Sequence, residues 1–266
     1  FETGSGYLAA CTAGLPMSAT RAAMIADLDS LPDPTVYDAT VESCRAAFAS
    51  LVGVSAAHVA IAAQTSVAVS MIAASLPRNA VVLCPEGDFS SLMLPFVHAG
   101  RGITVRTAPL EHLASALTPD VALVAFSLVQ SSTGDVADLD AIVAAAASHG
   151  SRTLCDATQA TGWVPVEASR VDALICHAYK WLCAPRGVAF ITVSERLAAE
   201  MRPVQAGWYA GENPWASCYG GDAILASSAR RFDVSPAWQA FVGAEPALHA
   251  FAAADAHEIH AYVTHL

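Results

Sequence analysis

The chain has 266 residues, enough for one large domain or two small ones, and 55% of them are apolar against 14% charged. That excess of apolar residues supplies a core and leaves surface to bury against a second copy. The formal net charge is −11, from 13 Lys and Arg against 24 Asp and Glu, with no basic cluster of five or more, which argues against a nucleic-acid partner and reads as solubility.

In chain order, helical patterns are expected at Ser18–Leu28 and Val36–Val52, then an apolar strand at Val59–Ile61 and a helix at Ser66–Leu76. Strands follow at Val81–Cys84, Ile103–Arg106 and Val121–Phe126, with helices at Phe89–Ala99 and Leu110–Leu117 between them. A helix at Ala137–His149 precedes strands at Arg152–Cys155, Ala173–Cys176 and Val188–Val193. Ser18 and Asp138 give helix starts, and Gly100, Gly102 and Gly150 punctuate helix ends. Alternating strands and helices predict an α/β fold with a mostly parallel sheet. After Val193 the alternation stops. Residues 205–226, rich in Gly, Trp and Tyr, read as a long loop, and Pro236–Leu266 reads as helix with Leu248, Phe251 and Ile259 on one face.

No apolar run approaches the roughly 18 residues of a membrane span, and stretches such as Ala141–Ala147 are short. The first residue is Phe1, so the chain is expected to start inside a longer one, and nothing resembling a signal peptide is seen. The seven cysteines are odd in number and form no CxxC pair, which predicts core thiols and a reduced, cytoplasmic setting.

Polar groups recur just past the expected strands, where open parallel sheets bind ligands. Lys180 follows Val171–Cys176 in His177-Ala178-Tyr179-Lys180-Trp181-Leu182, and Asp156 and Gln159 follow Thr153-Leu154-Cys155. Lysine is ordinarily a solvated surface residue. Here its strand and its aromatic neighbours predict a desolvated amine of lowered pKa. A lysine that forms a Schiff base and an aspartate that holds a pyridinium nitrogen are what a protein contributes to pyridoxal 5'-phosphate chemistry. Gln64-Thr65-Ser66 opens a helix and reads either as an ordinary N-cap or as a phosphate holder. Phe89 reads as a core residue or as a ring stacked on a cofactor. Gln130 and Ser131 read as a polar turn or as part of the same rim. Asp156 is alternatively a turn acid, and His177 a satisfied core histidine. His257 and His260 share a helix face, but no third ligand is arranged with them, so a solvated face is preferred and no metal is expected.

Asp-x-x-Gln followed by His-x-x-Lys-Trp-Leu-x-x-Pro-x-Gly resembles the class V aminotransferase group of fold-type I pyridoxal-phosphate enzymes, over about Tyr7 to Ala250. That group includes cysteine desulfurases, kynureninases, epimerase-like proteins and ergothioneine C–S lyases. The resemblance implies that Lys180 is the Schiff-base lysine and proton shuttle, that Asp156 pairs the pyridinium, and that Gln159 reaches the phenolic oxygen. Phe89 takes the place of a stacking histidine, and Ser131 stands where desulfurases usually carry an asparagine near the cofactor. Gln64, Thr65 and His177 are implied phosphate ligands. Ser235, in Arg230-Arg231-Phe232-Asp233-Val234-Ser235-Pro236, is implied to reach the phosphate of a neighbouring subunit, and with it a homodimer with shared active sites.

The expected organisation is a large cofactor-binding domain over residues 1–250 and the start of a small C-terminal domain over 251–266. Residues 1–30 are assigned to the large domain, the small domain or the dimer interface. In the family the small domain carries the arginine that grips the substrate carboxylate and, in desulfurases, a persulfide-forming cysteine on a mobile loop. Neither has a counterpart after Lys180, and the join Asp29-Ser30-Leu31-Pro32 is shorter than in relatives, which points to omitted residues. The expected function is C–S lyase or desulfurase-like chemistry on an amino-acid substrate, with Tyr209, Trp215 and Tyr219 as contributors from a loop. The alternatives are an aminotransferase, an amino-acid epimerase, or a truncated, non-catalytic dimer of the same fold.

Overall fold

Four helix starts among the described residues follow from short polar side chains that accept free backbone N–H groups. In the computed structural model, which describes residue 1 and residues 6–266, Asp33 accepts the N–H of Thr35 ahead of α2 (Pro34–Leu51), with Pro34 in the first turn. Asp138 does the same through Ala141 for α5 (Leu139–His149), which Gly150 ends in a left-handed conformation, φ 74°. Ser194 caps α6 (Glu195–Glu200), and Asp255 caps α8 (Ala256–His265). The remaining helices are α1 (Ser18–Leu28), α3 (Thr65–Ser75), α4 (Ser90–Val97) and α7 (Trp238–Ala253).

Seven strands form one sheet: β1 (Val59–Ala62), β2 (Val81–Pro85), β3 (Thr104–Ala108), β4 (Val121–Ser127), β5 (Arg152–Asp156), β6 (Ala173–His177) and β7 (Ala189–Val193). Their order is β1-β7-β6-β5-β4-β2-β3. β7 runs antiparallel to both neighbours, and every other pair is parallel. β1 therefore points the same way as β6, and the carboxyl ends of all strands but β7 meet at one rim.

The strands read as continuous apolar runs because helices cover both faces of the sheet. Val59, Ile61, Val124 and Phe126 pack with α2, α5 and α7 on one side. Ala60, Ala62, Leu123 and Ala125 pack with α3, α4 and α6 on the other. Phe48 of α2 stacks on Phe190 of β7 with ring centroids 4.4 Å apart. Among the described residues no helix is long and apolar enough to cross a membrane.

Three expectations are corrected. Leu110–Leu117 is not an α-helix: a 3-10 turn at Leu110–His112 gives way to turns. The apolar spacing of Leu110, Leu113 and Leu117 imitates a helix, but Pro109 and Pro119 leave a segment too short to offset helix nucleation. Pro236–Leu266 is two helices, α7 and α8, separated where Asp255 starts a new cap. Helix α6, which the reading of the sequence ended before, extends the alternation past β7.

Candidate active site

The rim of the sheet gathers its polar residues from five strands. A narrow cleft is lined by Thr65 beyond β1, Phe89 beyond β2, Ser127 and Ser131 at the end of β4, Asp156, Thr158 and Gln159 at the end of β5, and His177, Tyr179 and Lys180 at the end of β6. Thr65, Phe89, Ser131, Asp156, Gln159, His177 and Lys180 are thus brought together. Gln64 and Ser235 are not: both are exposed and neither lines the cleft.

Asp156 is the last residue of β5 and 3% exposed. Burial pushes its carboxyl up to about 6, with the charge of Asp88 acting in the same sense, while hydrogen bonds from Thr158 and the charge of Lys180 hold it down. The N–H of Thr158 donates to its Oδ1 at 2.9 Å. Lys180 lies in the turn after β6 and is 5% exposed. Burial lowers its pKa, against the attraction of Asp156. Its Nζ lies 5.4 Å from the centroid of the Phe89 ring and 5.9 Å from that of Tyr179.

His177 ends β6 and donates its backbone N–H to Thr158 Oγ1 at 3.0 Å. Its ring pKa falls to about 4, first through burial and then through Arg186 and Lys180, so the imidazole is neutral at pH 7. Its Nε2 is buried in the cleft wall without a hydrogen-bond partner. Buried polar atoms in native proteins are nearly always paired, so this one fits a cleft that holds a hydrogen-bonding ligand such as a phosphate. The Gln159 amide is held firmly: it donates to the carbonyl of Cys11 at 3.0 Å and to Ser131 Oγ at 2.9 Å, and accepts from Trp181 Nε1 at 3.0 Å.

Features without an assigned role in the sequence also shape the cleft. The N-terminal segment closes over it: Gly14 donates its N–H to the carbonyl of Tyr179 at 2.8 Å. A Cβ on Gly14 would stand 2.0 Å from the Lys180 carbonyl oxygen. Asp88, 8% exposed, bridges Phe89 and Ser127. Thr158 fixes both Asp156 and His177. His260 is not simply solvated: its ring stacks on Trp163 at 5.9 Å.

A buried lysine and a buried carboxylate at the ends of neighbouring strands of a parallel α/β sheet define the cofactor-binding body of a pyridoxal-phosphate enzyme. Residues 35–266 match the family described as Aminotransferase class-V. The chain belongs to that family, whose cofactor is pyridoxal 5'-phosphate. It is 30% identical over 220 residues to the uncharacterized aminotransferase YcbU of Bacillus subtilis, a match covering 78% of this chain and 57% of YcbU. It is 28% identical over 181 residues to isopenicillin N epimerase of Streptomyces clavuligerus, covering 62% of this chain and 46% of the epimerase. In fold it is similar to the cystine C–S lyase C-DES, solved with its reaction product cysteine persulfide: the TM-score is 0.83 at 21% identity, over 96% of this chain and 76% of the lyase chain. The chain spans about half the length of the curated relatives it matches.

Proposed function

We propose that this chain is the cofactor-binding part of an enzyme that labilises bonds at Cα and Cβ of an amino-acid substrate, with carbon–sulfur cleavage as the reaction class. The observation that carries the reading is the pair Lys180 and Asp156, both buried on one cleft at the ends of the hydrogen-bonded strands β5 and β6. Bound there, pyridoxal phosphate supplies an electron sink conjugated to the substrate amine.

The remaining work falls to the chain. Asp156, ionised above pH 6, would accept a hydrogen bond from a protonated pyridine nitrogen and keep that proton in place. Phe89 would cover the ring. Thr65 opens α3, where backbone N–H groups lack helical partners, and with neutral His177 it would donate to the phosphate. Gln159, fixed by Cys11, Ser131 and Trp181, would hold the ring's phenolic oxygen. Lys180, its amine disfavoured as a cation by burial, takes the proton from substrate Cα and returns one to the product.

Three buried thiols near Asp156 and Lys180 are unsuited to persulfide chemistry. Burial pushes Cys176 up to about 12 and raises Cys155 and Cys183, so they are protonated packing groups. Elimination of a sulfur leaving group from Cβ needs no protein thiol. Similarity to isopenicillin N epimerase and to YcbU favours, as a second reading, epimerisation or transamination, which use the same proton transfer at Lys180. In either reading residues 251–266 open a small C-terminal domain. A second copy supplies Ser235 to the phosphate, which the exposure of Ser235 away from this chain's own cleft supports.

The test is a product assay on the full-length protein against amino acids and cysteine conjugates. Keto acid, ammonia and a released sulfur species are expected together. An amine passed to an acceptor keto acid, or inversion at Cα without sulfur release, moves the assignment to the second reading.

A further inference from the structure

Asp88 is a buried carboxylate at the cleft that neither the lysine nor the pyridinium role uses. An acid just before a helix ordinarily caps it by accepting N–H groups of the first turn. Asp88 does not do this for α4, whose start carries no side-chain cap. Its carboxylate turns instead toward the sheet rim. Oδ1 accepts the N–H of Phe89 at 2.6 Å and the hydroxyl of Ser127 at 2.6 Å, and Oδ2 accepts the N–H of Ser127 at 2.9 Å. Ser127 is the ladder partner of Asp156, and the next residue, Leu128, donates its N–H to the Asp156 carbonyl at 2.9 Å.

We propose that Asp88 is a positioning residue: one carboxylate holds the Phe89 ring at a fixed spacing from the Ser127–Asp156 rim, and so sets the width and alignment of the slot that takes the cofactor ring. This rests on the reading of the cleft as a pyridoxal-phosphate site. The connection is short and rigid. The carboxylate reaches Phe89 across one peptide unit, and it reaches the end of β4 through two bonds to a single residue. Phe89 itself is 41% exposed. The hydrogen bonds at its backbone set where its Cα stands on the rim. The charge of Asp88 also adds to the upward push on the Asp156 carboxyl.

A double-mutant cycle tests it. Pyridoxal phosphate affinity and the visible circular dichroism of the bound cofactor are measured for wild type, Asp88→Ala, Phe89→Ala and the double variant, with Ser127→Ala as a milder cut of the same link. Loss of ring alignment predicts about tenfold weaker binding and a flattened dichroic band in Asp88→Ala, as a misplaced aromatic contact implies. In the Phe89→Ala background, removal of Asp88 adds less than about twofold. Ser127→Ala shifts both readouts in the same direction by less. Losses that multiply in the double variant, or an Asp88→Ala protein with unchanged affinity and dichroism, overturn the proposal. If Asp88→Ala fails to fold, an unchanged dichroic band in Ser127→Ala overturns it instead. A wild-type protein that binds no pyridoxal phosphate removes the reading of the cleft, whereas wild-type binding with an inert Asp88→Ala removes the positioning role alone.

Discussion

At Asp156 and His177 burial works against charge in opposite senses, and the two effects share one pH window. Asp156 titrates near 6 in the folded chain against an ordinary value near 3.8, so the folded state binds more protons between those limits and loses stability as pH rises through them. His177 titrates near 4 against an ordinary 6.5, so the unfolded state binds more protons there and stability is lost as pH falls. In the cofactor-free protein, Asp156→Asn is therefore expected to gain up to ~3 kcal/mol at pH 7 and only about 0.5 kcal/mol at pH 4, as the difference in pKa implies. Urea unfolding at the two pH values checks this. A variant that is less stable at pH 7 than wild type would show that Asp156 is held by partners rather than strained by burial. At Lys180 the expectation concerns rate. Lys180→Ala lowers proton transfer at Cα by about 10²–10⁴-fold, the usual share of a positioned base, and exchange of the Cα hydrogen with deuterated solvent reads that loss directly.

The elements are held to the site by two fasteners. Arg45 of α2, 1% exposed, makes a two-pronged ion pair with the fully buried Asp233, at 3.1 and 2.7 Å, and donates to the carbonyl of Val59 at 2.6 Å. Asp233 also accepts the N–H of Ile61 at 2.8 Å. The cluster ties α2 and β1 to the segment that carries Ser235. Arg45→Ala leaves Asp233 buried without its cation and is expected to cost about 3–5 kcal/mol in denaturant unfolding. The second fastener is Gly14, where a Cβ would collide with backbone. Gly14→Ala should release the N-terminal segment and speed its cleavage in limited proteolysis, while the core helices stay protected.

These fasteners mark the limit of what the sequence discloses. The strands were legible because both faces are buried and each reads as an apolar run. Lys180 was legible because a lysine between aromatic residues after such a run is out of place. The reversed direction of β7 was not, since parallel and antiparallel buried strands look alike in sequence. Asp88 carries no signal in the sequence because its partner, Ser127, lies 39 residues further on. Gly14 carries no sequence signal either, because what forbids a side chain there is the Lys180 carbonyl, far along the chain.

For the whole molecule, exposed Ser235 and the apolar excess of the chain support the proposed homodimer with shared sites. Light scattering after size exclusion is expected to give twice the chain mass. Mixing Lys180→Ala with Ser235→Ala protomers should restore about a quarter of the wild-type cofactor sites if each site draws on both copies, an estimate from random pairing of symmetric dimers. The claim on which everything else depends is that Lys180 and Asp156 form one cofactor site. The most direct measurement is the absorption spectrum of purified protein titrated with pyridoxal phosphate, before and after borohydride reduction. A near-visible band that reduction fixes covalently to Lys180, and that Lys180→Ala abolishes, is the predicted result. A protein that stays colourless with added cofactor, or that is labelled at the N-terminal amine instead of Lys180, the single lysine of the chain, would contradict it.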